Sequence, residues 1–61
     1  MTDEELVDWI ELYVDGSANY RWRAKSANGR IVAESGEGYE NRVDAVEMAI
    51  GLFPGKELRE E

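Results

Sequence analysis

The chain has 61 residues and a formal net charge of −7, from 14 acidic and 7 basic side chains, and it contains neither cysteine nor histidine. These absences exclude disulfides and remove the usual thiolate and imidazole groups of metal sites and of catalytic nucleophile–base pairs. The acidic excess disfavours binding to nucleic acid or anionic membranes over the surface as a whole. A domain this small usually needs an added source of stability, and oligomerisation is the source that this composition leaves.

The acidic composition has two interpretations. Lys25 and Lys56 are the only lysines, and the remaining basic residues are arginines. An acidic, lysine-poor chain is typical of a high-salt cytoplasm, where salt screens self-repulsion, but it also occurs in ordinary acidic proteins. No segment is long and apolar enough to span a membrane, and the acidic residues 1–5 differ from the basic start of a signal peptide. The sequence predicts a cytoplasmic protein without membrane association.

Three strands are predicted in chain order. Residues 1–5 are polar and are expected to be frayed, whereas residues 6–14 are rich in β-branched and aromatic side chains, as strands are. Residues 15–19 have the composition of a turn, and residues 20–27 alternate in polarity, which indicates a strand with one buried face. Asn28-Gly29 then favours a two-residue type I′ turn, because both central residues of that turn need positive φ. A third strand is predicted over residues 30–35.

The turns predict the register of both hairpins. If Val14 pairs with Tyr20 and Ala27 pairs with Arg30, the two hairpins agree on which side chains share a face. The face that the helix should cover carries Ile10, Leu12, Val14, Tyr20, Trp22, Ala24, Ile31 and Ala33. The open face carries Trp9, Glu11, Tyr13, Arg21, Arg23, Lys25, Val32 and Glu34, with Lys25 opposite Val32 and Arg23 between Glu11 and Glu34.

One helix is predicted after the break at residues 36–38. Asn41 is a suitable N-cap, and Asp44 stands three residues later, where it can bond back to the cap. Pro54-Gly55 ends the helix, and residues 56–61 form either a short edge strand or a disordered end. The apolar side chains at helical spacing, which we expect to face the sheet, are Val43, Val46, Ile50 and Phe53.

Together these elements predict an α+β fold in a single domain, residues 1–61, with an ordered core over about residues 6–54. A three-stranded antiparallel sheet carries one helix on one face, and a short C-terminal strand is an additional possibility. The helix covers only a narrow strip of the sheet, so the other sheet face is left open.

Five short motifs resemble a known family: Glu11-Leu12-Tyr13, Tyr20-Arg21-Trp22-Arg23, Ala27-Asn28-Gly29, Glu37-Gly38-Tyr39 and Asp44-Ala45. In combination, over about residues 10–53, they resemble the YegP-like family of small domains of unknown function. The resemblance implies a β-β-β-α-β unit that occurs as tandem repeats or as a dimer of single units, which share one continuous sheet and exchange their C-terminal strands. A chain with one unit is therefore expected to be a homodimer. The family brings no established enzyme activity, cofactor or catalytic residue.

The residues themselves offer no catalytic motif. Ser17, Ser26 and Ser35 have no histidine to activate them. The glycine-rich segment at residues 36–39 leads into the helix, but it contains Glu37 where a phosphate loop has lysine, so we interpret it as a turn. The sequence predicts no enzyme activity, no cofactor and no metal site.

Basic and aromatic side chains alternate on the predicted open face. Sheets that bind single-stranded RNA combine the same residue types, because cations contact phosphates and aromatic rings stack on bases. The alternative is a solvated face whose arginines are neutralised by glutamates, and the net charge favours this alternative. A protein partner is a further candidate for the same face, which consists of Trp9, Tyr13, Arg21, Arg23 and Lys25.

A candidate dimer interface consists of Trp22, Met48, Leu52, Phe53 and Leu58. Met48 and Leu52 lie off the predicted inner stripe of the helix, and a monomer would expose them as an apolar patch that soluble monomers rarely carry. We therefore predict a non-enzymatic homodimer that acts as a protein-interaction module. A weak nucleic-acid-binding module that uses the open face is the alternative, and an enzyme ranks third.

Overall fold

The computed structural model describes residues 6–61. Its elements are strand β1 (Trp9–Val14), strand β2 (Tyr20–Lys25), strand β3 (Ile31–Glu34), helix α1 (Arg42–Leu52) and strand β4 (Glu57–Glu60). The strands form one sheet in the order β3-β2-β1-β4. The α+β prediction is confirmed, whereas the prediction of frayed residues 1–5 falls outside the described residues. No helix within residues 6–61 has the length and apolar character needed to cross a membrane.

The β1–β2 hairpin has the predicted register. Val14 pairs with Tyr20, and Glu11 pairs with Arg23, along one antiparallel ladder. Because side chains alternate between the faces of a sheet, this register directs every second side chain toward the helix-covered face, although Val14 at the end of β1 is exposed there, contrary to the prediction. The buried inward residues of this hairpin are Ile10, Leu12, Trp22 and Ala24.

The turn between β2 and β3 differs from the predicted two-residue turn. The Ser26 N–H donates to the Arg30 carbonyl at 2.9 Å, and the Gly29 N–H donates to the Ser26 carbonyl at 2.9 Å. Three residues therefore lie between the last pair, and within this loop only Gly29 has a positive φ, of 85°. This is a type I turn followed by one left-handed residue, in which Asn28 keeps an ordinary conformation.

The longer loop changes the pairing of β3. Ala24 lies opposite Ala33 as predicted, but the register shifts at the next residue, so that Lys25 lies opposite Ile31 rather than Val32. Ile31 is consequently exposed, and Val32 packs against the core. The predicted faces of these two β3 residues are therefore wrong, and the extra loop residue is the reason.

Helix α1 turns small side chains toward the sheet. Ala45 and Ala49 are fully buried, whereas Val43 and Ile50 are at least half exposed. The predicted inner stripe is therefore wrong for Val43 and Ile50, although Phe53 is buried. Two apolar patterns at helical spacing run along this helix, and the one made of small residues faces inward.

The size of Trp22 explains why the small side chains of α1, rather than the large ones, face the sheet. Its ring is buried on the helix-covered face of the sheet and meets the Phe53 ring edge-on, with centroids 5.8 Å apart and planes at 73°. Because the indole occupies volume on this face, the helix fits above it only where its own side chains are small. The buried core consists of Val7, Ile10, Leu12, Trp22, Ala24, Ala45, Ala49 and Phe53.

Both ends of α1 lie where the sequence predicts them. Asn41 is the N-cap residue, but its side chain does not cap the backbone and instead donates to the Asp44 carboxylate at 3.4 Å. At the other end the Phe53 N–H donates to the Ala49 carbonyl at 2.9 Å. Gly55, with φ of 80°, then reverses the chain before β4.

Strand β4 extends the sheet beyond the predicted ordered core. It runs parallel to β1 of the same chain, with Trp9 opposite Glu57 and Leu12 opposite Glu60. Leu58 packs against the core from this strand. The sheet is therefore four-stranded and mixed: the short C-terminal strand that the sequence left open is present, and its parallel pairing corrects the prediction of a purely antiparallel, three-stranded sheet.

The segment before α1 is tied to the start of β2. Tyr20 and Tyr39 exchange backbone hydrogen bonds of 2.7 and 2.8 Å. Gly38 lies so close to Asn19 that an added Cβ would stand 2.6 Å from the Asn19 Cβ. This close approach explains why a glycine precedes Tyr39.

The β1–β2 turn holds Ala18 in the left-handed region, with φ of 64°. This conformation costs a residue with a Cβ about 1–2 kcal/mol, and glycine adopts it freely. We expect Ala18→Gly to raise the free energy of unfolding by about 1 kcal/mol and the melting temperature by roughly 4–8 °C. Thermal unfolding followed by circular dichroism measures the change.

Ala27→Gly is the matched control, because Ala27 lies in the exposed β2–β3 turn at an ordinary φ. Glycine there adds only freedom to the unfolded chain and is expected to lower the melting temperature. A fall in melting temperature at both positions would contradict the strain assigned to Ala18.

Candidate interaction surfaces

Glu11 lies at the centre of an ion-pair network on the open sheet face. Its carboxylate accepts hydrogen bonds from Arg23 Nε at 2.8 Å and from the Trp9 indole at 3.4 Å, and it lies 3.8 Å from Lys25 Nζ. Arg23 also donates to the Glu61 carboxylate at 2.7 Å. The Arg23 guanidinium is the main reason why the pKa of Glu11 lies below its usual value. The network joins β1, β2 and the residue after β4.

Two guanidinium groups cover the aromatic rings of this face. Arg23 Cζ lies 4.3 Å from the Tyr13 ring centroid, and Arg59 Cζ lies 4.3 Å from the Trp9 ring centroid. Both distances are within the range of cation–π attraction. Sequence reasoning missed Arg59, because the pairing that brings β4 beside β1 has no local signal in the sequence.

Arg21 is held at the end of the β1–β2 hairpin. Its Nε donates to the Asp15 carboxylate, which also accepts from the backbone N–H groups of Ser17 at 2.8 Å and Asn19 at 3.1 Å. The pKa of Asp15 is lowered, with the Arg21 hydrogen bond as the largest cause. One carboxylate thus stabilises the turn and neutralises the arginine.

The structure brings the predicted ligand or partner face together on one side of β1 and β2. Arg21, Arg23 and Lys25 each form an ion pair with a carboxylate of the same chain. Arg23 lies opposite both Glu11 and Glu34, as predicted. Within residues 6–61 its ion pairs are with Glu11 and Glu61, so Glu34 does not neutralise it by a direct pair. A nucleic-acid phosphate would have to displace these carboxylates, so the geometry disfavours the nucleic-acid alternative.

A shallow apolar groove lies on the opposite face of the sheet, where α1 meets the segment after β3. We call it the helix groove. Its lining residues are Tyr39, Asp44, Glu47, Met48, Gly51 and Leu52. From Met48 and Leu52 the surface continues past Glu34, which is the last residue of β3, and past Glu37, which comes after that strand. Burial raises the pKa of Tyr39, and the nearby Glu37 carboxylate adds to the rise.

The residues of the predicted dimer interface lie in different places. Trp22 and Phe53 are buried in the core of their own chain, and Leu58 is half-buried on β4. Met48 and Leu52 are 44% and 51% exposed and meet in the helix groove, on the β3 side of the sheet. Since β3 and β4 are opposite edges, Leu58 does not share a surface with Met48 and Leu52.

A second exposed apolar pair lies on the other side of α1. Val43 and Ile50 are 57% and 50% exposed, and the same side of the helix carries Arg42, which donates to Glu60 of β4 at 3.0 Å. Sequence reasoning assigned Val43 and Ile50 to the core. The sequence signal for the inner face of the helix was the pair Ala45 and Ala49, four positions apart, together with the large Trp22 on β2.

The numerous carboxylates are dispersed over the surface. Within residues 6–61, no three histidine, cysteine, aspartate or glutamate side chains lie close enough together to hold a metal ion. The carboxylates on the open face are instead hydrogen-bonded to arginines and to backbone N–H groups. Their local role is to stabilise the hairpin.

These features define a small α+β domain with one charged sheet face and one helix-covered face. Residues 15–50 match a family described as "Domain of unknown function (DUF1508)", which is more than half of the chain. The chain is 38% identical over 56 residues to UPF0339 protein NMB1088 of Neisseria meningitidis serogroup B, across 82% of this chain and 98% of that protein. The same values hold for UPF0339 protein NMA1193/NMA1859 of Neisseria meningitidis serogroup A / serotype 4A. No solved structure matches. The chain belongs to this family of small domains, the YegP-like family.

The Glu11 network predicts a specific pH dependence of stability. The folded-state pKa of Glu11 lies below the usual value of 4.5, so its stabilising effect is present above that pH and is lost as the pH falls through the folded value. We expect Glu11→Gln to lower the free energy of unfolding at pH 7 by at most about 1 kcal/mol, and by less at pH 3. Urea unfolding at both pH values measures this difference.

Glu34→Gln is the control for Glu11→Gln. It removes the same negative charge from the same sheet face, at a residue that forms no ion pair within residues 6–61. Its effect is expected to be close to zero or stabilising, because it relieves part of the acidic excess. Equal losses from both substitutions at pH 7 would contradict the role of the Glu11 network.

Proposed function

We propose that this chain is a non-enzymatic homodimeric domain that acts as a protein-interaction module, and that two copies join along the free edge of β4. The proposal is supported by one observation: the unpaired backbone groups and the charges of β4 are self-complementary in a single register. The half-buried Leu58, predicted from the sequence as an interface residue, lies at the centre of this edge.

Strand β4 uses alternate residues to pair with β1. The Glu61 N–H donates to the Leu12 carbonyl at 2.9 Å, and Leu12 lies opposite Glu60. In a parallel ladder this pattern directs the backbone groups of residues 57, 59 and 61 toward β1. The N–H and C=O groups of Leu58 and Glu60 therefore point away from β1, toward the free edge.

A two-fold axis beside Leu58 would pair these groups with those of a second copy. In this antiparallel arrangement Leu58 faces Leu58 of the second copy, and their N–H and C=O groups form reciprocal hydrogen bonds. The same register puts Glu57 opposite Arg59 and Lys56 opposite Glu60. Each of these charged side chains then meets an opposite charge across the interface, which stabilises a strand pair.

The neighbouring registers that keep the faces aligned are unfavourable. A shift in one direction puts Arg59 opposite Arg59 of the second copy, and a shift in the other puts Glu57 opposite Glu57. Like charges directly opposite each other destabilise a strand pair. The charges of β4 therefore favour one register over its neighbours.

The size of the domain supports association as well. An unpaired strand edge is a template for pairing with another chain, and a domain this short buries little surface by itself. Val43 and Ile50 expose apolar surface on the side of α1 that faces β4. The chain covers 98% of the protein from serogroup B, so that relative also has the length of a single unit.

A charge swap on β4 tests the interface. The wild-type chain is expected to show a molar mass near twice 6.9 kDa by light scattering after size exclusion, at both low and molar salt. Arg59→Glu puts like charges opposite each other at two symmetric positions and is expected to weaken the dimer at least about fivefold. The double variant Glu57→Arg/Arg59→Glu restores opposite charges and is expected to recover the dimer.

Arg30→Glu is the control, because it makes the same charge change in the β2–β3 turn, away from β4. It is expected to leave the dimer intact, and circular dichroism verifies that each variant is folded. A wild-type mass near 6.9 kDa in both salt conditions would overturn the dimer. Equal weakening by Arg30→Glu and Arg59→Glu would overturn the β4 interface.

A further inference from the structure

We infer that the helix groove binds a short basic segment of another protein, in which lysines or arginines flank an apolar side chain. The inference rests on the proposed interaction role but is independent of the dimer. The groove lies beside the end of β3, whereas the proposed dimer edge is β4, at the opposite side of the sheet. Both copies of a dimer would therefore present a groove.

The floor of the groove suits an apolar anchor. Met48 and Leu52 are four positions apart on the same side of α1 and are about half exposed. The half-buried Tyr39 forms a wall, and Gly51 leaves room above the helix because an added Cβ there would meet no atom within 4 Å. A single apolar side chain that covers Met48 and Leu52 would remove this exposed surface from water.

The charge beside the groove favours a basic partner. Four carboxylates lie along the groove and its continuation, and neither lysine nor arginine lies among the lining residues. None of the four forms an ion pair within residues 6–61. Glu37, Asp44 and Glu47 are available to a cation from outside. Glu34 lies at the edge of β3 opposite Arg23, on the open face, and borders only the continuation of the groove.

A second copy of this chain is a poor occupant of the groove. Each copy carries a net charge of −7, and two grooves brought together would oppose their unpaired carboxylates. An RNA or an anionic membrane is repelled for the same reason. A basic segment with one apolar side chain suits this surface, because its cations neutralise the carboxylates beside the groove and its apolar side chain covers Met48 and Leu52.

A synthetic peptide of lysine and leucine is the probe, and the glutamate–leucine peptide of the same length is its control. We expect the lysine peptide to shift the NMR signals of the Met48 methyl group and the Tyr39 ring, and the glutamate peptide to leave them unchanged. Molar salt is expected to weaken the binding, since exposed charges are screened.

Two substitutions that keep the charge constant locate the site. Leu52→Ser and Ile50→Ser remove side chains of nearly equal exposure, 51% and 50%, from opposite sides of the same helix. We expect Leu52→Ser to weaken the peptide about fivefold to tenfold and Ile50→Ser to weaken it less than about twofold, measured by isothermal titration calorimetry.

Two substitutions that each remove one negative charge test whether the carboxylates beside the groove contribute to peptide binding. Glu47→Gln is expected to weaken the lysine peptide about twofold to fivefold, whereas Asp8→Asn, outside the groove before β1, is expected to have a smaller effect. Circular dichroism verifies that the variants are folded, as their exposed positions predict.

Three results would overturn the inference. Equal effects of Leu52→Ser and Ile50→Ser would show attraction to the acidic surface in general, and absence of binding by the lysine peptide would remove the site. A change of solution mass in Leu52→Ser would show that a second copy covers the groove. If the chain is monomeric and binds the peptide, the groove is supported and only the dimer is refuted. If the chain is dimeric and does not bind the peptide, the dimer is supported and only the groove is refuted.

Discussion

The position of Trp22 beneath helix α1 is the packing constraint on which the other features of the domain depend. The indole is buried in the same core as Ala45 and Ala49, the small side chains that α1 turns toward the sheet. The larger apolar side chains of the helix are therefore displaced outward, to both sides of the contact. The exposed apolar side chains of α1 are therefore a consequence of how the core is packed.

The two faces of the domain differ in whether their charged side chains form ion pairs. On the open sheet face, guanidinium groups are shared between carboxylates and aromatic rings, so that positive and negative charges cancel locally. Around the helix groove, the carboxylates have no such partners within the described residues. Carboxylates without an ion pair within the described residues thus lie beside the exposed Met48 and Leu52, and this coincidence distinguishes the groove from the open sheet face.

The predictability of each element followed from how many independent signals it carries. The β1–β2 register was predictable because β2 alternates strictly in polarity and the pairing of Val14 with Tyr20 brings Glu11 opposite Arg23. Asn28-Gly29 is compatible with a two-residue and a three-residue loop, which differ in length and in the conformation of Asn28, so the sequence did not distinguish them. Helix α1 contains two apolar patterns at the same period, and the choice between them depends on the size of Trp22 on another element. Arg59 reaches Trp9 only because β4 pairs with a strand at the far end of the chain, a relation without any local pattern.

The parallel pairing of β4 with β1 joins the two strands that are most distant in sequence. Loop closure of this kind is entropically the most demanding step of folding, and contacts of high sequence separation slow the approach to the native state. Until β4 pairs, the edge of β1 that faces away from β2 has no neighbouring strand. At that stage the β4 of a neighbouring chain offers the same residues in the same order as the chain's own strand.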